Sequence, residues 1–497
     1  MKPVKVCVIG TGFAGLAMAI RLKQSGIDDF VILDKAAAVG GTWRENTYPG
    51  AGCDVPCHLY SFSFELNPNW TRRFAKQSEI IAYIEHCVAK YDLARHIRFN
   101  TEVTEARFDE GRGQWTVATK SGEAIEAQFV VSGLGQLSRP QFPKIAGLDR
   151  FQGKAFHSAY WDHGYDLGGK RVAVIGTGAS AIQFVPEIQP KVATLSVFQR
   201  SPTWMVPKDD YVFPAWAQWA FHHLPGVQRA YRHWTYLLLE SRFLSFRRKG
   251  NFFARLAQKQ CQAYLDAEVT DPALKAKLQP DFPVGCKRIL ITNDWYKALA
   301  QANAEVVTEA IAEVTETGVR TRDGKLHEVD CLIYGTGFET QSFIAPMKVW
   351  GRRGAELNER WRNGAEAHKG VAVAGFPNFF VLYGPNTNLG HNSIIFMIEQ
   401  QVGYIMKCLG EVTRRGARAL DVTPAAMQFF NDGIQKEFET TVWNADCHSW
   451  YKNAQGRITN NWPGFTVGYW WMMRQPDFAE FSFDGQAATQ AVPAAAE

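Results

Sequence analysis

The sequence predicts an α/β protein built from two Rossmann-like dinucleotide-binding domains, with a helical insertion in the second. Two glycine-rich turns carry most of that reading. GTGFAG at residues 10–15 follows a short apolar run and opens a helical stretch, and GTGASA at residues 176–181 repeats the arrangement. A lone GxGxxG is weak evidence, but one set between a strand and a helix is strong. The third observation is a break in rhythm. From residue 211 to about 282 the strand–turn–helix alternation stops, and Val227, Tyr231, Trp234 and Leu238 recur at helical spacing.

Composition narrows the class. The 497 residues are 46% apolar and 21% charged, an ordinary globular balance that supports two or three domains. A formal charge of +5 is too small to argue for a nucleic-acid partner. The nine cysteines (Cys7, Cys53, Cys57, Cys87, Cys261, Cys286, Cys331, Cys408 and Cys447) are odd in number and match no zinc spacing. No metal site is expected, and the thiols are expected to be reduced in a cytoplasm. Met1 leads at once into a strand, leaving no room for a signal peptide, and no apolar run is long enough to span a bilayer. Sixteen tryptophans gather after Trp204 and near the C-terminus, suited to aromatic walls around a flat ring or an apolar substrate, or to plain core packing.

Taken in order, Val4–Ile9 is a continuous apolar run, the pattern of a parallel strand buried on both faces. In the turn that follows, Gly10 permits the tight bend, Gly12 lets backbone N–H groups approach a pyrophosphate, and Gly15 lets helix and strand pack closely. The next strand ends in Asp34, a carboxylate placed to accept both ribose hydroxyls. Residues 40–64 carry Gly40, Gly41, Pro49, Gly50 and Gly52, so they are a long turn-rich loop beside the cofactor. Cys53 and Cys57 within it form a candidate redox pair, but such pairs stand closer to the GGT segment, where this chain has Trp43. Residues 78–91 read as a helix, 101–108 and 114–120 as strands, and 129–135 as a buried strand. Arg139-Pro140 and Phe142-Pro143 mark the exit from the first domain.

The second unit opens with the strand Arg171–Ile175 and the turn Gly176-Thr177-Gly178, with Ala181 at the third position. Asp34 stands 24 positions after Gly10, and the same offset from Gly176 lands on Arg200. One site therefore offers a ribose acceptor and the other a cation for a 2′-phosphate, which assigns FAD to the first and NADPH to the second. In the insertion, Arg229, Arg232 and Arg242 are expected at the surface, away from the apolar stripe. As an alternative to lining a pocket, its aromatic and basic character suits peripheral docking on a membrane surface. Lys287 and Arg288 follow in a Pro/Gly turn where the insertion rejoins the nucleotide domain. Residues 330–338 form a strand running into a GTG turn, residues 380–390 and the helix after them complete the first domain, and residues 485–497 are expected to be disordered. The domains are accordingly 1–145 and 333–497 for FAD, 146–210 and 284–332 for NADPH, and 211–283 for the insertion. The C-terminal part, with Trp450, Tyr451 and Trp462, forms an active-site wall.

Between the two turns lies FQGKAFHSAYWD, residues 151–162. Its Phe151, Gly153, His157, Trp161 and Asp162 resemble the FxGxxxHxxxW[PD] signature of type I Baeyer–Villiger monooxygenases, and Gly41, Trp43, Tyr48, Pro49, Gly50 and Asp54 resemble that family's longer fingerprint. The resemblance implies a class B flavoprotein monooxygenase that consumes NADPH and O2. It would insert one oxygen beside a ketone carbonyl, giving an ester or lactone via a flavin C4a-peroxide. It makes Arg288 the catalytic cation, with Asp54 near the flavin positioning it, and His157 a hinge residue. A guanidinium stays protonated in a dry pocket where a lysine need not. Thr42, Trp43, Tyr60 and Asn386 would join the flavin contacts, while Ser180, Ser201, Lys287 and Trp450 would join the NADPH contacts. N- or S-oxygenation, NADPH oxidation and a non-catalytic redox-sensing flavoprotein are the alternatives. Trp161-Asp162 points away from the heteroatom-oxidising branch.

Overall fold

The computed structural model describes residues 3–447 and 449–485, so the expectation of a disordered tail falls outside the described residues beyond Gly485. Two sheets dominate. In the first, Val4–Ile9 lies between Phe30–Leu33 and Ala124–Ser132, parallel to both, and Phe379–Val381 adds a further parallel strand against Ala124–Ser132. Gln114–Thr119, Val103–Asp109 and Lys348–Trp350 extend that edge. All four residues of Phe30–Leu33 and the last four of Val4–Ile9 are buried, as continuous apolar runs covered on both faces must be. The fingerprint helix Phe13–Gln24 packs against Ile394–Arg415, the long helix of the returning chain.

The second sheet has five parallel strands in the order Ala304–Val307, Thr194–Phe198, Arg171–Ile175, Cys331–Tyr334, Lys154–His157. Its edge strand Lys154–His157 belongs to the signature segment, so that segment is built into the sheet rather than strung between domains. Two crossings join the units. Residues 139–141 run beside 337–339, where Gln141 N–H donates to Gly337 O at 2.9 Å and Glu339 N–H to Arg139 O at 2.9 Å.

Two expectations are corrected. Cys286 and Cys447 form a disulfide across 161 residues of sequence, with Cα atoms 6.4 Å apart, so the all-reduced reading fails for this pair. No local spacing announces it, because tertiary packing alone brings the two segments together. The other seven cysteines are free and buried. The helix Val227–Ser241 departs from expectation in part: Arg229 and Arg242 are exposed and Val227 and Tyr231 half-buried, but Arg232 is buried at 6% exposure, while Trp234 and Leu238 face outward. The reason is hydrogen bonding. The Arg232 guanidinium donates to the carbonyls of His58 at 2.6 Å and Ser61 at 3.0 Å, satisfying loop oxygens that have no strand partner.

Candidate active site

The first fingerprint is shaped for a phosphate. A methyl group at Gly15 would sit 1.9 Å from Gly10 O, so helix and strand approach closely enough to exclude any side chain. At Gly12 the same group would meet nothing nearer than Gly41 Cα at 3.8 Å, so the helix start opens onto free space. Asp34 is buried, and its Oδ2 accepts from Thr11 N–H at 2.8 Å and the Thr11 hydroxyl at 2.5 Å. Its Oδ1 accepts only Ala36 N–H at 2.9 Å among hydrogen bonds, so one of its four acceptor directions remains for a ribose. Thr42 starts the short helix Thr42–Glu45 beside Gly41, and Trp43 donates its indole N–H to Tyr60 OH at 3.1 Å. These residues fit FAD.

The second fingerprint has the same form, with Gly178 open and Ala181 starting the helix Ala181–Ile188. Lys287 donates to Ser201 Oγ at 2.9 Å. Burial and the nearby charge of Arg200 both push the Lys287 ammonium down from its ordinary value. The predicted cations thus converge from opposite ends of the insertion, a donor set suited to a 2′-phosphate. Ser180 lies just before that helix, within reach of Tyr48.

Between the two sites stands the pair that the sequence separated by 234 positions: Arg288 Nη2 donates to Asp54 Oδ2. Each side chain is about a third exposed, 29% and 31%, so both remain within reach of solvent or a bound molecule. The Asp54 charge is the largest influence on Arg288 and holds the guanidinium well above its ordinary value. For Asp54, burial pushes the carboxyl up, but the Arg288 charge and hydrogen bond outweigh it and leave it below its ordinary value. Tyr383 and Tyr451 bear on the same guanidinium, and Lys208 is a further cation felt by Asp54.

The signature residues are placed as a junction. A methyl group at Gly153 would lie 2.4 Å from the Phe151 ring and 2.6 Å from Asp330 O, which explains the paired Phe and Gly. His157 accepts Ala159 N–H at Nδ1 (3.1 Å), so Nε2 carries the proton and donates to Gly337 O at 3.1 Å. Burial lowers its pKa, which keeps the ring neutral. Trp161 packs edge-on against Phe156, and Asp162 pairs with Lys154.

Some expected contacts are otherwise engaged. Asn386 spends its amide N–H groups on the carbonyls of Ile458 (2.9 Å) and Asn461 (3.1 Å), tying its turn to the C-terminal segment. Trp450 is partly exposed and packs at a tilt against Tyr451, ring centroids 4.6 Å apart. Cys53 and Cys57 are free, and burial pushes both thiols far up, which removes the redox-pair reading. Sequence reasoning missed Gln183. Its Nε2 donates to Gly52 O at 2.9 Å and its Oε1 accepts from Tyr48 OH at 3.0 Å, fastening the FAD-side loop to the second fingerprint helix. A lone amide in the apolar first turn of that helix was the available signal. Tyr383, in the left-handed region at φ 55°, had none.

Comparison with known proteins places the chain. The profile of the pyridine nucleotide-disulphide oxidoreductase family matches residues 7–218. A Baeyer–Villiger monooxygenase of Pseudomonas aeruginosa is 47% identical over 96% of this chain and 91% of its own length. This chain belongs to the Baeyer–Villiger monooxygenase family. Among solved structures, cyclohexanone monooxygenase from Rhodococcus sp. Phi1 bound to NADP+ superposes with a TM-score of 0.87 at 29% identity, covering 97% of this chain and all of that one (100%). OTEMO in complex with FAD and NADP superposes with a TM-score of 0.86 at 26% identity, covering 97% of this chain and 99% of that one. No helix among the described residues is long and apolar enough to cross a membrane.

Proposed function

We propose that this family member is an FAD-dependent, NADPH-consuming monooxygenase that inserts one oxygen atom from O2 beside a ketone carbonyl, giving an ester or lactone. The observation that carries the reading is the Arg288–Asp54 pair, set in a cleft between two dinucleotide cradles. Gly10, Gly12, Gly15, Asp34, Gly41 and Thr42 would hold FAD. Gly176, Gly178, Arg200, Ser201 and Lys287 would hold NADPH. Bound FAD, reduced by NADPH, supplies the capture and activation of dioxygen.

The chain's own part is electrostatic. Negative charge develops on oxygen during insertion, and a cation fixed in a partly dry cleft stabilises it without reorganising. Arg288 is that cation. Asp54 takes one of its five N–H donors and orients the rest. Because burial and hydrogen bonding keep His157 neutral, the residue serves the junction between sheets and not proton transfer to substrate.

Purified enzyme supplied with NADPH, air and a panel of ketones and sulfides tests the reading by mass spectrometry. A ketone product one oxygen heavier that fragments as an ester is expected. Sulfoxides alone, or NADPH loss with only hydrogen peroxide, would overturn it.

A further inference from the structure

The insertion and the helix Thr466–Met473 present a face of unusual composition. The helix Val227–Ser241 turns its polar residues inward, where Glu240 accepts from Asn392 and Thr466, each at 2.7 Å, and Arg232 meets the loop carbonyls. Trp234, Leu237 and Leu238 are left outside, while Leu239 is buried and Tyr231 packs against Phe213 and Phe221. Trp234 is 65% exposed, and neighbouring helices add Trp216 at 74%, Phe252 at 73% and Trp471 at 67%. These helices form one surface. Tyr236 OH pairs with Thr466 Oγ1 at 2.9 Å and Val467 N–H donates to Glu240 at 3.2 Å, while Asn251 Nδ2 donates to Leu244 O at 2.7 Å.

Charge around this face is predominantly positive. From Tyr211 to Glu268, the end of the helix Phe252–Glu268, the sequence holds eight lysines and arginines and three acids, Glu240, Asp266 and Glu268; Asp266 and Glu268 pair with Lys275 and Lys297. Glu240 is buried, and only Arg232 among the cations is; Arg247, Arg248, Lys249, Arg255 and Lys259 are all exposed. Exposed indoles on helices that carry an excess of exposed cations match the headgroup region of an anionic bilayer, where aromatic rings settle and basic side chains meet phosphate. A second copy of the chain fits poorly, because a two-fold interface would set these cations against one another.

We propose that this face docks on an anionic phospholipid bilayer, holding the enzyme peripherally without spanning it. The inference rests on surface residues alone and stands apart from the oxygenation reading. Its test is flotation of the FAD-loaded enzyme with vesicles of phosphatidylcholine, or of equal parts phosphatidylcholine and phosphatidylglycerol. Binding to the anionic vesicles only is expected, with a blue shift of tryptophan fluorescence and release by salt. The neutralised variant Arg247→Gln/Arg248→Gln/Lys249→Gln should partition about 100-fold more weakly, at roughly fivefold per cation. Trp216→Ala/Trp234→Ala/Trp471→Ala should lose binding at every salt concentration. Thermal melting and NADPH-driven flavin reduction of each variant report that the fold is intact. No flotation, or equal flotation with both vesicle types, overturns the proposal. So does a solution dimer that the tryptophan variant dissolves, which would give the face to a second copy.

Discussion

Removing the Arg288 guanidinium separates what the pair does for stability from what it does for chemistry. In Arg288→Ala the Asp54 carboxylate keeps its site but loses the partner that held its pKa down. Stripping one member from a fully buried ion pair costs about 3–5 kcal/mol. Here each side chain is about a third exposed (29% and 31%), so water screens the remaining charge and the loss should be about 1–2 kcal/mol. Replacing Asp54 as well removes the stranded charge, so Arg288→Ala/Asp54→Ala should regain much of that stability. Catalysis should not follow. Loss of a preorganised charge at a developing oxyanion costs about 100- to 1,000-fold, and the double variant lacks it equally. The assays are urea denaturation for stability, anaerobic stopped-flow for flavin reduction by NADPH, and mass spectrometry for oxygenated ketone. Flavin reduction should persist in all variants while NADPH drains to hydrogen peroxide. Oxygenation at the parent rate in Arg288→Ala, or its recovery in the double variant, would refute the reasoning.

Four further outcomes are expected. Gly153→Ala should destabilise by about 1–3 kcal/mol by overpacking, read by urea denaturation, because Asp330 O is fixed by Lys154 N–H at 3.1 Å and cannot retreat. Arg200→Ala should raise KM for NADPH about 10- to 100-fold, the worth of a charge-assisted hydrogen bond, and leave KM for NADH nearly unchanged in steady-state kinetics. Denatured enzyme titrated with a thiol reagent should show seven thiols before reduction and nine after, and Cys447→Ser should lose about 2–4 kcal/mol of stability in urea. His58 is depressed from 6.5 to about 3 by burial, with Arg232 adding to the shift. Its folded form therefore refuses a proton that the unfolded chain takes below pH 6.5, and stability falls with pH across that window. Between pH 6.5 and 5 this group should cost about 2 kcal/mol, and the slope should flatten in His58→Gln when denaturation is followed at each pH.

The parts legible in the sequence are those whose physics is local. A buried parallel strand must be continuously apolar, and a phosphate turn must be glycine where backbones touch. The acceptor or cation that reads the ribose must stand at the end of the next strand. Gly15, Asp34 and Arg200 follow from such rules, and so does the Phe151–Gly153 pair once the ring is seen folded over the glycine. The insertion shows where local rules stop. Helical spacing found the helix Val227–Ser241 but misplaced Arg232, Trp234 and Leu238, because spacing reports periodicity and not which side is covered.

By itself, then, the sequence determined two nucleotide units and the cofactors FAD and NADPH. Only the tertiary structure decided which distant residues meet. It brought Asp54 to Arg288, Lys287 to Ser201, Cys286 to Cys447 and Gln183 to the loop at Gly52. Each of these contacts joins segments that fold as separate strand–turn–helix units. Their partners are set by how the two sheets dock and how the insertion closes over them, and neither arrangement leaves a periodic trace along the chain.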